Sequence, residues 1–207
     1  SRIVSKNTII FEKQLLLPVS ATNEKGQDVV SQISQQDEVY TPGINGNASP
    51  SWNNITQNKL TLDLGNLSTA SAVKLVITGR VDWGPADTYY AWINSFKEAT
   101  SLGLVPNGTQ IMPAPTIEIK DANGYWISAP QDRQIPLPSD YNARTFTVDL
   151  TGLFPANLSD YQVRFTNFWN VTYDYIGIDT TSQQTTIIQK LTPTSADLSQ
   201  LWETPSN

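Results

Sequence analysis

The sequence predicts an all-β fold, an antiparallel β-sandwich, and three observations predict it. Apolar residues recur with a period of two rather than 3.6. The 13 prolines fall mainly between these alternating runs, where they punctuate strands instead of breaking them. An Asn-Gly pair, Asn123-Gly124, joins two of the runs and marks a hairpin. About ten short strands at this spacing suit Greek-key or jelly-roll links.

The leading segment, 1–20, carries its pattern on odd positions: Ile9, Phe11, Lys13, Leu15, Leu17 and Val19. Fully extended, residues 8–19 would reach roughly 40 Å, long for a strand of ordinary length. After Pro18 the polar stretch 21–27 reads as a hinge, and 28–207 as one sandwich head domain. Two readings stand. In one, the segment is the first strand of the sandwich, with a bulge near Lys13. In the other, it is a donor strand that completes the sheet of a neighbouring copy. Strand addition supplies main-chain hydrogen bonds while alternate side chains fill pockets in the acceptor. A head-to-tail contact of that kind does not close on itself and builds a filament. It also hides a sheet edge.

Four body strands follow from strict alternation. Leu60, Leu62 and Leu64 alternate with Thr61 and Asp63. Ile117 and Ile119, then Phe146, Val148 and Leu150, then Tyr161, Val163 and Phe165 repeat the pattern. Each set places one apolar face on a core and one polar face in water. Less regular strand-like runs occupy 27–34, 73–81, 87–93, 173–179 and 184–191. Only Ser195–Glu203 has helical spacing, with Leu198, Leu201 and Trp202 on one side.

Composition bounds the chemistry. Thr, Ser, Asn and Gln make up 71 of 207 residues, while charged residues are 15%, against about 25% in ordinary soluble domains. There is no Cys and no His, which excludes disulfides, thiol nucleophiles, zinc–thiolate sites and a Ser-His-Asp triad. A net charge of −6 argues against nucleic acid as a partner. No apolar run is long enough for a membrane span. The first residue is Ser rather than Met, as after removal of a signal peptide. Six Asn-x-Ser/Thr sequons, at Asn47, Asn54, Asn66, Asn107, Asn157 and Asn170, predict N-linked glycans and an extracellular location. No other cofactor and no metal are expected.

Other constellations also fit ordinary structural roles. Trp83, Tyr89, Tyr90, Trp92 and Trp126 offer faces for a sugar platform, but Tyr and Trp also fill sandwich cores. Trp169 beside Asn170 suits packing against a glycan. Asp82 with Asp87, and Asp174 with Asp179, are the carboxylate pairs that a glycosidase would need, yet such spacings arise readily by chance. Asp121-Ala122-Asn123-Gly124 begins like a calcium loop but lacks the later ligands. Lys59, Lys74 and Lys120 lie on strands where a Lys–Asn isopeptide crosslink would suit a Cys-free fibre.

Secreted, Cys-free, rich in sequons and β-patterned, with an apolar leading tail, the chain resembles an archaeal thread-type pilus subunit. That resemblance implies a pilin-like sandwich polymerised head to tail by donor-strand complementation, with itself as partner. Ile9, Phe11, Leu15, Leu17 and Val19 would be the inserted side chains and the six sequons would carry glycans. It further implies a non-enzymatic surface filament used in adhesion or biofilm formation. Separately, 74–179 resembles the β-rich C-terminal module of cartilage-acidic-protein-type secreted proteins. The shared pieces include 75–79, 87–92, 147–152 and 163–167. The alternative function is a monomeric secreted carbohydrate-binding or adhesin module.

Overall fold

The computed structural model describes residues 4–5, 8–9, 15–43, 53, 57–82, 86–109, 114–136, 142–156 and 158–181. Within these the chain is an antiparallel β-sandwich with one α-helix. The larger sheet runs β3-β4-β9-β6-β7 and the smaller β10-β5-β8. Its strands are β3 (Ser20–Asn23), β4 (Asn58–Asp63), β6 (Thr116–Lys120), β7 (Trp126–Ser128) and β9 (Gln162–Asn167). The smaller sheet comprises β5 (Lys74–Val81), β8 (Arg144–Asp149) and β10 (Val171–Asp179). From β7 onward the chain crosses between the sheets at each connection, β7 to β8, β8 to β9 and β9 to β10.

Alternation does what the sequence expects. In β4, Asn58, Leu60 and Leu62 are buried while Lys59, Thr61 and Asp63 are half-buried. In β9, Val163, Phe165 and Asn167 turn inward. They meet Leu75, Ile77, Phe146, Val148, Ile176 and Ile178 of the smaller sheet in one continuous core. Each fully buried Leu, Ile, Val or Phe there contributes about 1.5–3 kcal/mol. Phe165 and Tyr173 link the two layers, their ring centroids 5.6 Å apart. The Asn167 amide nitrogen is satisfied in this core, donating to Asn58 Oδ1 at 3.2 Å and to the Tyr173 hydroxyl at 3.0 Å.

Several expectations are corrected. The run 87–93 is helical, part of α1 (Ala86–Ser101). Trp92, Phe96 and Ala99 are buried on one face at i, i+4 and i+7. Trp92 packs on Phe168 with centroids 4.6 Å apart, so an aromatic cluster docks the helix. Residues 30–33 of the run 27–34 form a 3-10 turn, opened by Asp28 Oδ1 accepting the Val30 N–H at 2.9 Å. The expected hinge at 21–27 holds most of β3, whose Ala21 is fully buried and pairs with Leu62. Its remainder is a turn closed by Asn23 and Gln27. At the Asn-Gly hairpin only Gly124 is left-handed, at φ 85°. Asp121 organises that turn by accepting the N–H groups of Asn123 and Tyr125 at 2.9 and 2.7 Å. The run 184–191 and the helix expected at 195–203 lie outside the described residues.

Candidate functional site

The smaller sheet is where the leading segment comes to rest. Leu16 and Ile178 exchange both backbone hydrogen bonds, at 3.0 and 2.8 Å, so the segment runs antiparallel to the end of β10. Leu15 lies in a notch that exists because residue 177 is Gly. A Cβ at Gly177 would stand 2.7 Å from Leu15 Cδ1 and 2.6 Å from the Tyr175 hydroxyl oxygen. Further along, the Val19 N–H donates to Asp63 O at 2.8 Å and hands the chain to β3. Leu16, Leu17 and Val19 stay 52%, 43% and 69% exposed. Upstream, β1 (Val4–Ser5) pairs antiparallel with β2 (Thr8–Ile9), matching Val4 to Ile9. Residues 10–14 of the alternating run 8–19 lie outside the described residues. An apolar tail whose backbone lacks a neighbouring ladder satisfies those groups on itself. β1 sits beside β8, at the far edge of the same sheet. Of the five expected donor-strand residues, Leu15 fills a pocket, Leu17 and Val19 face outward, Ile9 lies in β2, and Phe11 is outside the described residues.

The flanks of the smaller sheet differ in how they are paired. The outer edge of β10 is met at separate points by Leu16, by Ser34 opposite Tyr175, and by the Thr41 N–H, which donates to Tyr173 O at 2.8 Å. Thr41 Oγ1 accepts the Tyr173 N–H at 3.0 Å. Short segments thus patch this edge where a continuous strand would cover it.

Beside this patching lies a polar cavity of about 590 Å3, lined by Glu38, Tyr40, Thr78, Arg80, Asn142 and Asp174 among others. The Arg80 guanidinium stacks on Tyr40, 3.9 Å from its ring centre. Burial pushes the Tyr40 hydroxyl above its ordinary value, while Arg80 pulls it down and Asp174 adds to the rise. Asp174 is committed structurally: its Oδ1 accepts the N–H groups of Asp37 and Glu38 at 3.2 and 2.8 Å. Glu38 holds a left-handed backbone at φ 67° in that turn. Tyr40 and Arg80 carry no signal in the sequence, because they are far apart in the chain and meet only through the fold.

The remaining expectations separate. Asn66 and Asn107 are exposed, as a glycan requires. Asn170 is only 5% exposed and its side chain lies against Gly43, so a glycan expected there is corrected by its burial. Asn47, Asn54 and Asn157 lie outside the described residues. Among the described residues the aromatic platform is not assembled: Trp92 is buried in the helix cluster, and Trp126 on β7 lies under Arg164 at 4.6 Å. Tyr90 is exposed, while Trp83 and the side chain of Tyr89 are not described. Asp82 is exposed on the loop after β5, and the side chain of Asp87 is not described. Among the described residues no group of three or more acidic side chains is placed to hold a metal, and no helix is long and apolar enough to cross a membrane. Lys59 is half-buried on β4, and Lys120 donates to Gln162 Oε1 at 3.1 Å. Lys74 is fully buried against Asp179.

No known protein family matches the chain, and no curated protein matches it. Among solved structures the chain is similar to the CBM22-1 xylan-binding domain from Paenibacillus barcinonensis. The identity is 7% and the TM-score 0.32, over 80% of this chain and 96% of that domain.

Proposed function

We propose that this chain is the structural subunit of an extracellular, glycosylated filament, polymerised head to tail when the leading segment of one copy completes the smaller sheet of the next. One observation carries the reading: an apolar leading segment rests on a three-stranded sheet shaped to take it. Leu15 enters the Gly177 notch, Leu16 pairs with Ile178, and β1 borders the edge of β8. Contacts that a tail makes within its own chain are available, unchanged in kind, to the tail of a neighbour. Exchange between copies turns them into a chain of subunits without new chemistry. Glycans at exposed sequons would shield such a fibre, whose expected roles are adhesion and biofilm formation.

The test is electron microscopy of the native protein beside a variant lacking residues 1–17. Filaments from the full chain, a folded monomer from the deletion, and capture of an added peptide of residues 1–17 by that monomer are the expected results. A full-length protein that stays monomeric in its native source, with its tail bound in cis, would end the reading. The polar cavity supports a second reading, a monomeric sugar-binding module. In that case Tyr40→Ala abolishes glycan binding and the deletion leaves it intact.

A further inference from the structure

Lys74 and Asp179 face each other on adjacent strands, in register, as partners of the β5–β10 ladder. Their side chains are 2% and 0% exposed, and Lys74 Nζ stands 3.5 Å from Asp179 Oδ2. The two carboxylate oxygens are used differently. Oδ1 accepts the backbone N–H of Thr181 at 2.9 Å and also the Thr181 hydroxyl. Oδ2 is buried with no hydrogen-bond partner and meets only the amine across the strands. Nζ meanwhile donates to Thr181 O at 3.1 Å. On the other side of Lys74 in the same row is Asp149, whose Oδ1 is occupied by the Thr151 N–H at 2.9 Å and by Arg133 at 3.4 Å.

We infer that Lys74 and Asp179 form an intramolecular isopeptide bond, a self-made covalent clamp between β5 and β10. The arrangement contains the parts of an acyl transfer. An amine held out of water is the nucleophile. Two donors on Oδ1 stabilise the negative charge that develops on that oxygen as Nζ attacks Cγ. Oδ2, free of competing hydrogen bonds, is the oxygen that leaves. The balance closes within the pair. An ammonium and a carboxylate give an amide and one water: the N–Cγ bond forms, the Cγ–Oδ2 bond breaks, and two protons pass from Nζ to Oδ2. The third hydrogen remains as the amide N–H, directed at Thr181 O. No co-reactant is consumed. The step also removes two buried opposite charges, whose desolvation the ion pair alone offsets poorly.

The experiment is intact mass under denaturing conditions, on full-length protein produced without glycans, followed by peptide mapping. The expected result is a mass lower than the sequence by one water, and a branched peptide joining the fragments that hold Lys74 and Asp179. The Lys74→Arg variant should return to the sequence mass, a readout that holds whether or not the variant folds. Wild-type protein at full sequence mass with separate peptides would overturn the inference, as would a water loss confined to Asp179 alone. The filament reading stands or falls independently, because this bond lies within one copy.

Discussion

Tyr173 shows how one residue can govern both packing and pH response. Its ring is buried against Phe165 and its hydroxyl accepts from the Asn167 amide. Burial pushes the hydroxyl well above its ordinary value near 10, and the Asn167 hydrogen bond opposes that rise only in part. Below about pH 10 the folded and unfolded chains both hold the proton. Above it the unfolded chain releases the proton and the folded chain does not, so the folded state loses roughly 1.4 kcal/mol per pH unit from this group. Urea titrations from pH 8 to 11.5 should show that slope, and Tyr173→Phe should lessen it. The same variant should cost about 1–2 kcal/mol at neutral pH, because Asn167 loses an acceptor in the core. Gly177 gives a second residue-scale test. Gly177→Val fills the notch and should expel Leu15, raising protease cleavage near residues 15–19 while the sandwich stays folded. Unchanged cleavage would mean that the notch does not hold the segment. Neither residue was marked by the sequence. Tyr173 read as one strand residue among several, and a glycine in a strand does not announce which side chain will lie over it.

At the scale of elements, legibility followed the number of wet faces. Strands with one face in solvent alternate cleanly, so β4, β6, β8 and β9 were read nearly to their ends. In β5 both faces are largely buried, and the run Leu75-Val76-Ile77 loses the period while remaining recognisably a strand. The error at α1 has a different origin. Tyr89, Tyr90, Trp92 and Ile93 are good strand formers, and their density hid the Trp92–Phe96–Ala99 stripe. Docking on Phe168 then decided between the two forms. Trp92→Ala should therefore act on the element more than on the sandwich. We expect a loss of about 3 kcal/mol and faster hydrogen exchange across 90–101, with protection in β4 and β9 retained. Equal loss of protection in all strands would show that the helix and the sandwich fold as one unit. β3 reads as a hinge in the sequence because Ser, Thr and Asn dominate it; only Ala21 points inward, and one small apolar residue makes a weak signal.

Among the described residues the sandwich pairs a five-stranded sheet with a three-stranded one, and this inequality is outside the reach of the sequence. Alternation is legible, but the division of strands between layers depends on connections that cross the core. The site shares that fate: an apolar tail is visible in the sequence, whereas its seat is assembled from β8 and β10. The polar cavity was missed for the same reason. That architecture also sets how the molecule bears load. Tension applied ahead of Leu15 falls first on two hydrogen bonds, at 3.0 and 2.8 Å, and only afterwards on the longer β3–β4 ladder. Pulling from an attachment at residue 15 against an anchor at Asn107 should give an early, weak release of about 15–20 Å, the contour of residues 15–19. A much stronger rupture should follow. A single rupture would mean that both contacts yield together. The Leu16–Ile178 bridge is thus a mechanical fuse, a place where strain is let out before the body of the protein feels it.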